Sequence, residues 1–103
     1  MKKRIRVLLA DDHAMVRDGL ATYLDQLDDI EVVAIAADGR DALEQARRTR
    51  PDVALIDVVM PGLNGLDAAA FIHEEYPGVR IIMISVHADI TYVYRALKAG
   101  AQG

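Results

Sequence analysis

The sequence predicts an α/β fold in which a parallel sheet is covered by helices on both faces. Short, nearly continuous apolar runs occupy residues 5–10, 53–56 and 81–84, as expected for buried strands. Segments with helical spacing of apolar residues lie between these runs, and glycine or proline marks several of the connections. Strands that are apolar throughout and separated by helices favour a parallel sheet over an antiparallel one.

The first half of the chain contains two predicted strand–helix units. A strand is predicted over residues 5–10 and a helix over residues 14–27. The apolar residues of this helix lie along one face: Val16, Leu20, Leu24 and Leu27. A second strand follows over residues 31–37, and a second helix over residues 41–50 ends before Pro51, which cannot continue it.

The same alternation continues in the second half. The third strand is predicted over residues 52–57, and the third helix over residues 66–76 ends at Pro77 and Gly78. A proline and two glycines make residues 60–65 a loop.

The last two predicted elements complete a single domain. They are a fourth strand over residues 80–85 and a fourth helix over residues 89–99, with Gly100 as its C-terminal cap. A length of 103 residues suits one domain, which we assign to residues 1–103.

Composition narrows the class of protein. Hydrophobic residues make up 52% and charged residues 27% of the chain, which indicates a globular protein. The formal net charge is −4, and the basic clusters are expected to be solvated ends of elements, so no nucleic-acid contact is predicted for this chain. The absence of cysteine excludes disulfide and thiol chemistry. The first apolar run ends at Asp11, too short for a signal peptide or membrane span, which predicts a soluble, cytoplasmic protein without membrane contact.

Polar residues lie at the carboxyl ends of three of the predicted strands. Asp11 and Asp12 follow the first strand, Asp57 ends the third and Ser85 ends the fourth. In an open parallel sheet, ligands bind beyond the carboxyl ends of the strands, so these residues are expected to converge. Three neighbouring carboxylates repel one another unless a cation lies among them. A hard divalent metal with oxygen ligands, Mg²⁺ first, is therefore the predicted occupant.

Simpler interpretations of the same residues remain open. Asp11 or Asp12 could cap the first helix, because aspartate is a favoured N-cap residue. Ser85 could cap the turn that leaves the fourth strand. His13, at the start of a helix, is expected to face solvent rather than bind metal.

Five segments together resemble the receiver domain of bacterial two-component response regulators. In chain order they are Leu8-Leu9-Ala10-Asp11-Asp12-His13, Asp52-Val53-Ala54-Leu55-Ile56-Asp57, Met60-Pro61-Gly62-Leu63-Asn64-Gly65-Leu66, Ile82-Met83-Ile84-Ser85 and Ala96-Leu97-Lys98-Ala99-Gly100-Ala101-Gln102-Gly103. Each segment is a weak signal alone, but their order and separations are specific. The last segment resembles the subfamily whose output is a helix-turn-helix DNA-binding domain.

The resemblance implies a flavodoxin-like sheet and a role for each site residue. Asp57 would accept a phosphoryl group from a sensor histidine kinase. Asp12 would bind Mg²⁺ directly, Asp11 largely through water, and the backbone carbonyl of Val59 would add a ligand. Ser85 would hydrogen-bond the phosphoryl oxygen, and phosphorylation would bias the position of the fourth helix.

The resemblance also implies a fifth strand carrying a lysine and then a fifth helix, whereas the sequence ends at Gly103. We therefore expect a C-terminally incomplete receiver domain with strand order 2-1-3-4 and no output domain. Such a chain is expected to self-associate, either through the edge of the fourth strand or through the first-helix residues Val16, Leu20 and Leu24.

The predicted function is thus a phosphoryl-accepting signalling module rather than an enzyme. One alternative is an interaction module that never binds phosphate. Another, less favoured, is a phosphohydrolase with an aspartate nucleophile. Such enzymes usually carry a second aspartate two residues after the nucleophile, and Asp57 is followed by Val58 and Val59.

Overall fold

A computed structural model of the chain describes residues 4–58, 60 and 63–84, which form four strands and three helices. In chain order these are β1 (Ile5–Ala10), α1 (Ala14–Asp25), β2 (Ile30–Ala36), α2 (Gly39–Thr49), β3 (Val53–Asp57), α3 (Gly65–Glu75) and β4 (Arg80–Ile84). The predicted helix over residues 89–99 lies outside the described residues, as do Val59 and Ser85.

The strands form one parallel sheet with the order β2-β1-β3-β4, which confirms the predicted doubly wound, flavodoxin-like arrangement. The chain passes from β1 to β2 on one side of it and then crosses to β3 on the other side. The direction in which strands are added therefore reverses between β1 and β3. The four apolar residues of β3 are buried, as predicted for a central strand, and so is Asp57 at its end.

Successive side chains of each strand point to opposite faces of the sheet and enter two separate cores. On one face, Leu8 and Ala10 of β1 pack with Ala46 of α2 and Ile72 of α3. The face covered by α1 has a core of larger side chains: Val7, Leu9, Leu20, Leu24, Ile30, Val53, Leu55 and Ile84. The apolar stripe predicted for α1 therefore holds this helix on the sheet, and Ala46 and Ile72 serve α2 and α3 in the same way.

The expectation that α1 presents an uncovered apolar stripe is wrong for two of its three residues. Leu20 and Leu24 are 5% and 0% exposed, because they pack onto the sheet against residues such as Val7 and Leu55. Val16 is only partly buried at the margin of the same core. The stripe is thus the docking face of α1.

Helix boundaries differ from the predicted ones by one or two residues, and capping explains the starts. α2 begins at Gly39 because the side chain of Asp38 accepts the Asp41 N–H at 2.8 Å. Asn64 accepts the Asp67 N–H at 2.8 Å in the same way, so α3 begins at Gly65. Among the described residues, no helix has both the length and the apolar character needed to cross a membrane.

Candidate functional site

The register of the two central strands brings the first acidic residues together. Ala10 of β1 pairs with Ile56 of β3, so Asp11 and Asp57 follow at the same level of adjacent strands. Both are buried, each only 1% exposed, whereas the Asp12 side chain is 28% exposed. The predicted convergence of Asp11, Asp12 and Asp57 is therefore present at the carboxyl edge of the sheet.

The donor atoms of the acidic cluster lie close enough together to hold a metal ion. Asp11, Asp12, His13 and Asp57 each offer one ligand atom, and these atoms all lie within 4.8 Å of one another. Three of the four are carboxylate oxygens, the ligands that Mg²⁺ prefers, and the partial exposure of Asp12 leaves access for the waters that Mg²⁺ retains. The donor chemistry and its access to solvent thus suit the predicted metal.

The imidazole of His13 lies among these carboxylates, which the sequence did not predict. Its Nδ1 atom is 3.2 Å from Asp11 Oδ1, 3.0 Å from Asp12 Oδ1 and 3.6 Å from Asp57 Oδ2. The pKa of His13 is raised from its usual value, first by the hydrogen bond to Asp11 and then by the negative charge of Asp12. The side chain is 46% exposed, as the solvent-facing interpretation predicts, but its Nδ1 atom also contacts the carboxylates.

Backbone contacts fix the turn that carries Asp11, Asp12 and His13. The Asp11 N–H donates to the carbonyl of Ala36 at 3.1 Å, and the His13 N–H donates to Asp11 Oδ1 at 2.8 Å. Arg17 reaches back from α1 and donates through Nη1 to the carbonyl of Asp11 at 3.2 Å. His13 itself is the N-cap residue of α1 and makes no side-chain cap. The capping alternative for the two acids is therefore not supported.

The close packing of the backbone behind Asp57 requires a glycine, which the sequence pattern did not predict. A Cβ atom on Gly65 would lie 1.7 Å from the carbonyl oxygen of Asp57. The Gly65 N–H donates to the carbonyl of Val58 at 3.2 Å, so the start of α3 rests directly on the end of β3. The signal available in the sequence was the position of Gly65 at the end of the loop that follows Asp57.

Two predicted site residues, Val59 and Ser85, lie outside the described residues. The described part of β4 nevertheless extends to the level of the acids. Ile84, the residue before Ser85 in the sequence, pairs with Asp57, and its carbonyl accepts the Val58 N–H at 3.0 Å.

Comparison with known families finds one model that matches almost the whole chain. It is described as the response regulator receiver domain and matches residues 7–103. Among curated proteins, the oxygen regulatory protein NreC of Staphylococcus epidermidis is 41% identical over 100 residues, which cover 96% of this chain and 46% of NreC. The transcriptional regulatory protein DegU of Brevibacillus brevis is 37% identical over 102 residues, covering 99% of this chain and 43% of DegU.

Solved structures show the same similarity. The signal receiver domain of the response regulator NarL from Mycobacterium tuberculosis has a TM-score of 0.77 and 39% identity, covering 98% of this chain and 82% of that one. The response regulator domain of Thermotoga maritima CheB has a TM-score of 0.76 and 40% identity, covering 96% of this chain and 75% of that one. The chain thus spans less than half the length of its curated relatives, but most of an isolated receiver domain.

Proposed function

Because this chain belongs to the response regulator receiver domain family, we propose that Asp57 is the residue on which it accepts a phosphoryl group. The observation that carries this proposal is the acidic cluster itself. Asp57 is 1% exposed, yet its carboxylate lies within 4.8 Å of donor atoms from Asp11 and Asp12. Burying the carboxylates of Asp11 and Asp57 beside a third, partly exposed one is costly for stability, which favours a functional reason for their placement.

The proposed reaction is a phosphoryl transfer to a carboxylate. One Oδ atom of Asp57 attacks phosphorus, a new O–P bond forms, and the bond from phosphorus to the donor breaks with its electron pair leaving on the donor. The product is an acyl phosphate on Asp57. Asp57 ends β3 and is held by the register of two neighbouring strands, so the attacking group is positioned before the donor arrives.

The neighbouring residues take roles that suit their positions. A bound Mg²⁺ would screen the negative charges and orient the phosphoryl oxygens. Asp12, the more exposed acid, is proposed as a direct ligand, with Asp11 acting largely through water, and Asp57 and the carbonyl of Val59 completing the protein ligands. Ser85 is proposed as the hydrogen-bond donor to the phosphoryl group. The pairing of Ile84 with Asp57 supports this assignment, because Ser85 is the next residue in the sequence.

The proposed donor is a sensor histidine kinase, from which the P–N bond of a phosphohistidine would be broken. We place this exchange in the cytoplasm. Relatives such as DegU are named as transcriptional regulatory proteins and are more than twice as long as this chain. We therefore propose that phosphorylation here regulates a helix-turn-helix output domain in such a longer protein, and that the chain acts as a signalling module rather than an enzyme.

Acetyl phosphate, a small phosphoryl donor, tests the acceptor assignment without knowledge of the kinase. Incubated with acetyl phosphate and Mg²⁺, the protein should gain one phosphoryl group by intact-mass spectrometry. The adduct should be removed by hydroxylamine, which cleaves acyl phosphates but leaves serine phosphates. Omitting Mg²⁺ should abolish the adduct, because the charges are then unscreened.

Two matched variants make the result specific. Asp57→Asn removes the acceptor oxygen while keeping the shape of the side chain, and should prevent labelling. Asp18→Asn changes an α1 aspartate whose side chain is 75% exposed and should label normally. Equal labelling of Asp57→Asn and the unmodified protein would refute Asp57 as the acceptor.

The two alternatives predict different results. A phosphate-independent interaction module would bind no beryllofluoride, an ion that mimics the phosphoryl group, whereas the proposed receiver should bind it only with Mg²⁺. A phosphohydrolase would turn over a phosphate ester such as p-nitrophenyl phosphate. Neither Val58 nor Val59, which follow Asp57 in the sequence, offers the second acid that such an enzyme usually needs.

A further inference from the structure

The position of His13 suggests a function that the acidic cluster alone does not explain. Its Nδ1 atom lies 3.0–3.6 Å from one oxygen of each of the three acids. These acids, together with His13 itself, are the residues that offer ligand atoms to a cation. One side chain of this chain therefore already contacts all the carboxylates that Mg²⁺ would need, and this inference accordingly rests on the proposed metal site.

The ring and a hydrated ion require the same space. Mg²⁺ demands near-octahedral geometry with oxygens at about 2.0–2.1 Å and usually keeps several waters. Asp11 and Asp57 are buried, so those waters must lie on the solvent side of the cluster, where the His13 side chain is 46% exposed. The imidazole occupies this side, whichever of its nitrogens carries the proton. An ion bound to the acids would therefore have to displace it.

The local structure allows such a displacement without unfolding α1. The backbone of His13 is held by its own N–H, which donates to Asp11 Oδ1 at 2.8 Å. Its side chain makes no capping hydrogen bond to α1, and its exposure leaves room for rotation into solvent. The ring can leave the cluster while the turn that carries Asp11 and Asp12 keeps its shape.

We propose that His13 is a displaceable plug of the metal site: its imidazole occupies the acidic cluster in the metal-free protein and competes with Mg²⁺ for it. In the metal-free protein the ring occupies the space beside the three carboxylates. It also sets the Mg²⁺ concentration at which the site becomes loaded. His13 is thus a positioning residue that acts on the metal and not a ligand of it.

Direct Mg²⁺ titration tests the competition without any phosphorylation readout. Isothermal titration calorimetry at one fixed pH should show that His13→Ala binds Mg²⁺ roughly twofold to fivefold more tightly than the unmodified protein, the range expected from removing one exposed polar contact with the acids. His13→Lys should bind more weakly than His13→Ala, because a lysine ammonium can reach the acids and compete with the ion. His73→Ala, on the exposed side of α3, should leave the affinity unchanged.

The possible outcomes separate this inference from the proposed function. Weaker Mg²⁺ binding by His13→Ala would make His13 a metal ligand, and unchanged binding would make it a bystander. Either result overturns the plug while leaving the receiver assignment intact. Failure of the unmodified protein and both His13 variants to bind Mg²⁺ would overturn the metal site and the plug together. Urea denaturation of each variant without Mg²⁺ shows that it is folded before it is titrated.

Discussion

At the scale of single residues, the site depends on a glycine as well as on the acidic side chains. Gly65 brings the start of α3 against the backbone of Asp57, where a Cβ atom would lie 1.7 Å from the Asp57 carbonyl oxygen. We predict that Gly65→Ala displaces this backbone and lowers the free energy of unfolding by about 1–3 kcal/mol, the usual cost of overpacking. Urea denaturation measures this loss, and the rate of labelling by acetyl phosphate should fall with it.

Gly19 provides the matched control for this substitution. It lies inside α1, and a Cβ atom there would meet nothing within 4 Å. Gly19→Ala should therefore raise stability by roughly 0.5–1 kcal/mol, because alanine has the higher helix propensity. If Gly65→Ala were as stable as Gly19→Ala, the close approach of α3 to Asp57 would make no contribution to the free energy of unfolding.

The sequence predicted that the three acids would lie close together, but it did not predict the positions of His13 and Gly65 beside them. Asp11 and Asp57 follow apolar runs, and parallel pairing alone places such residues at one edge of a sheet. The orientation of the His13 ring depends on a side-chain rotation that periodicity does not encode. The contact of Gly65 depends on the path of the loop after Asp57, for which the sequence offers only glycine and proline signals.

At the scale of elements, α1 tests how the helices are attached to the sheet. Leu24 is fully buried in the core beneath α1, whereas Met15 of the same helix is 89% exposed. We predict that Leu24→Ala lowers the free energy of unfolding by about 2–5 kcal/mol through the cavity it leaves. Met15→Ala should change it by less than about 0.5 kcal/mol. Chemical denaturation of both variants measures the difference, and equal losses would contradict the packing of α1 described above.

The same helix shows why predicted boundaries were close but not correct. Apolar spacing extended α1 to Leu27, which does contribute to the core at its margin. The chain nevertheless leaves the α-helical pattern after Asp25, because the Leu27 N–H donates to the carbonyl of Leu24, three residues earlier. Burial patterns predict which side chains point inward. Burial patterns do not indicate which carbonyl accepts each of the last N–H groups of a helix. The ends of helices are therefore predicted less accurately than their buried faces.

At the scale of the whole molecule, the expected self-association remains a prediction. Among the described residues, β4 pairs with β3 only, and Ile81, Ile82 and Met83 are half-buried. An apolar strand at the end of a sheet can add a strand from a second chain. We predict that this 103-residue chain forms dimers in light scattering and that Ile82→Lys weakens them, since lysine disfavours edge pairing. Arg80→Lys keeps the charge at the exposed start of β4 and serves as the control, and a concentration-independent monomer would contradict the prediction.

Metal binding should be coupled to the folding of the entire domain. The acids that form the site follow β1 or end β3, so they meet only when the sheet is assembled. A ligand that binds only the folded state stabilises it by mass action, by about 2.7 kcal/mol when its concentration is 100 times the Kd. For a domain of about this size, that corresponds to a rise in Tm on the order of 10–20 °C. Calorimetry with Mg²⁺, against sodium chloride at equal ionic strength, measures the effect. Asp12→Asn should abolish most of the rise because it removes a ligand charge, whereas Asp18→Asn should retain it. A rise in Tm that sodium chloride reproduces in full would assign the stabilisation to general screening and contradict a specific site at Asp11, Asp12 and Asp57.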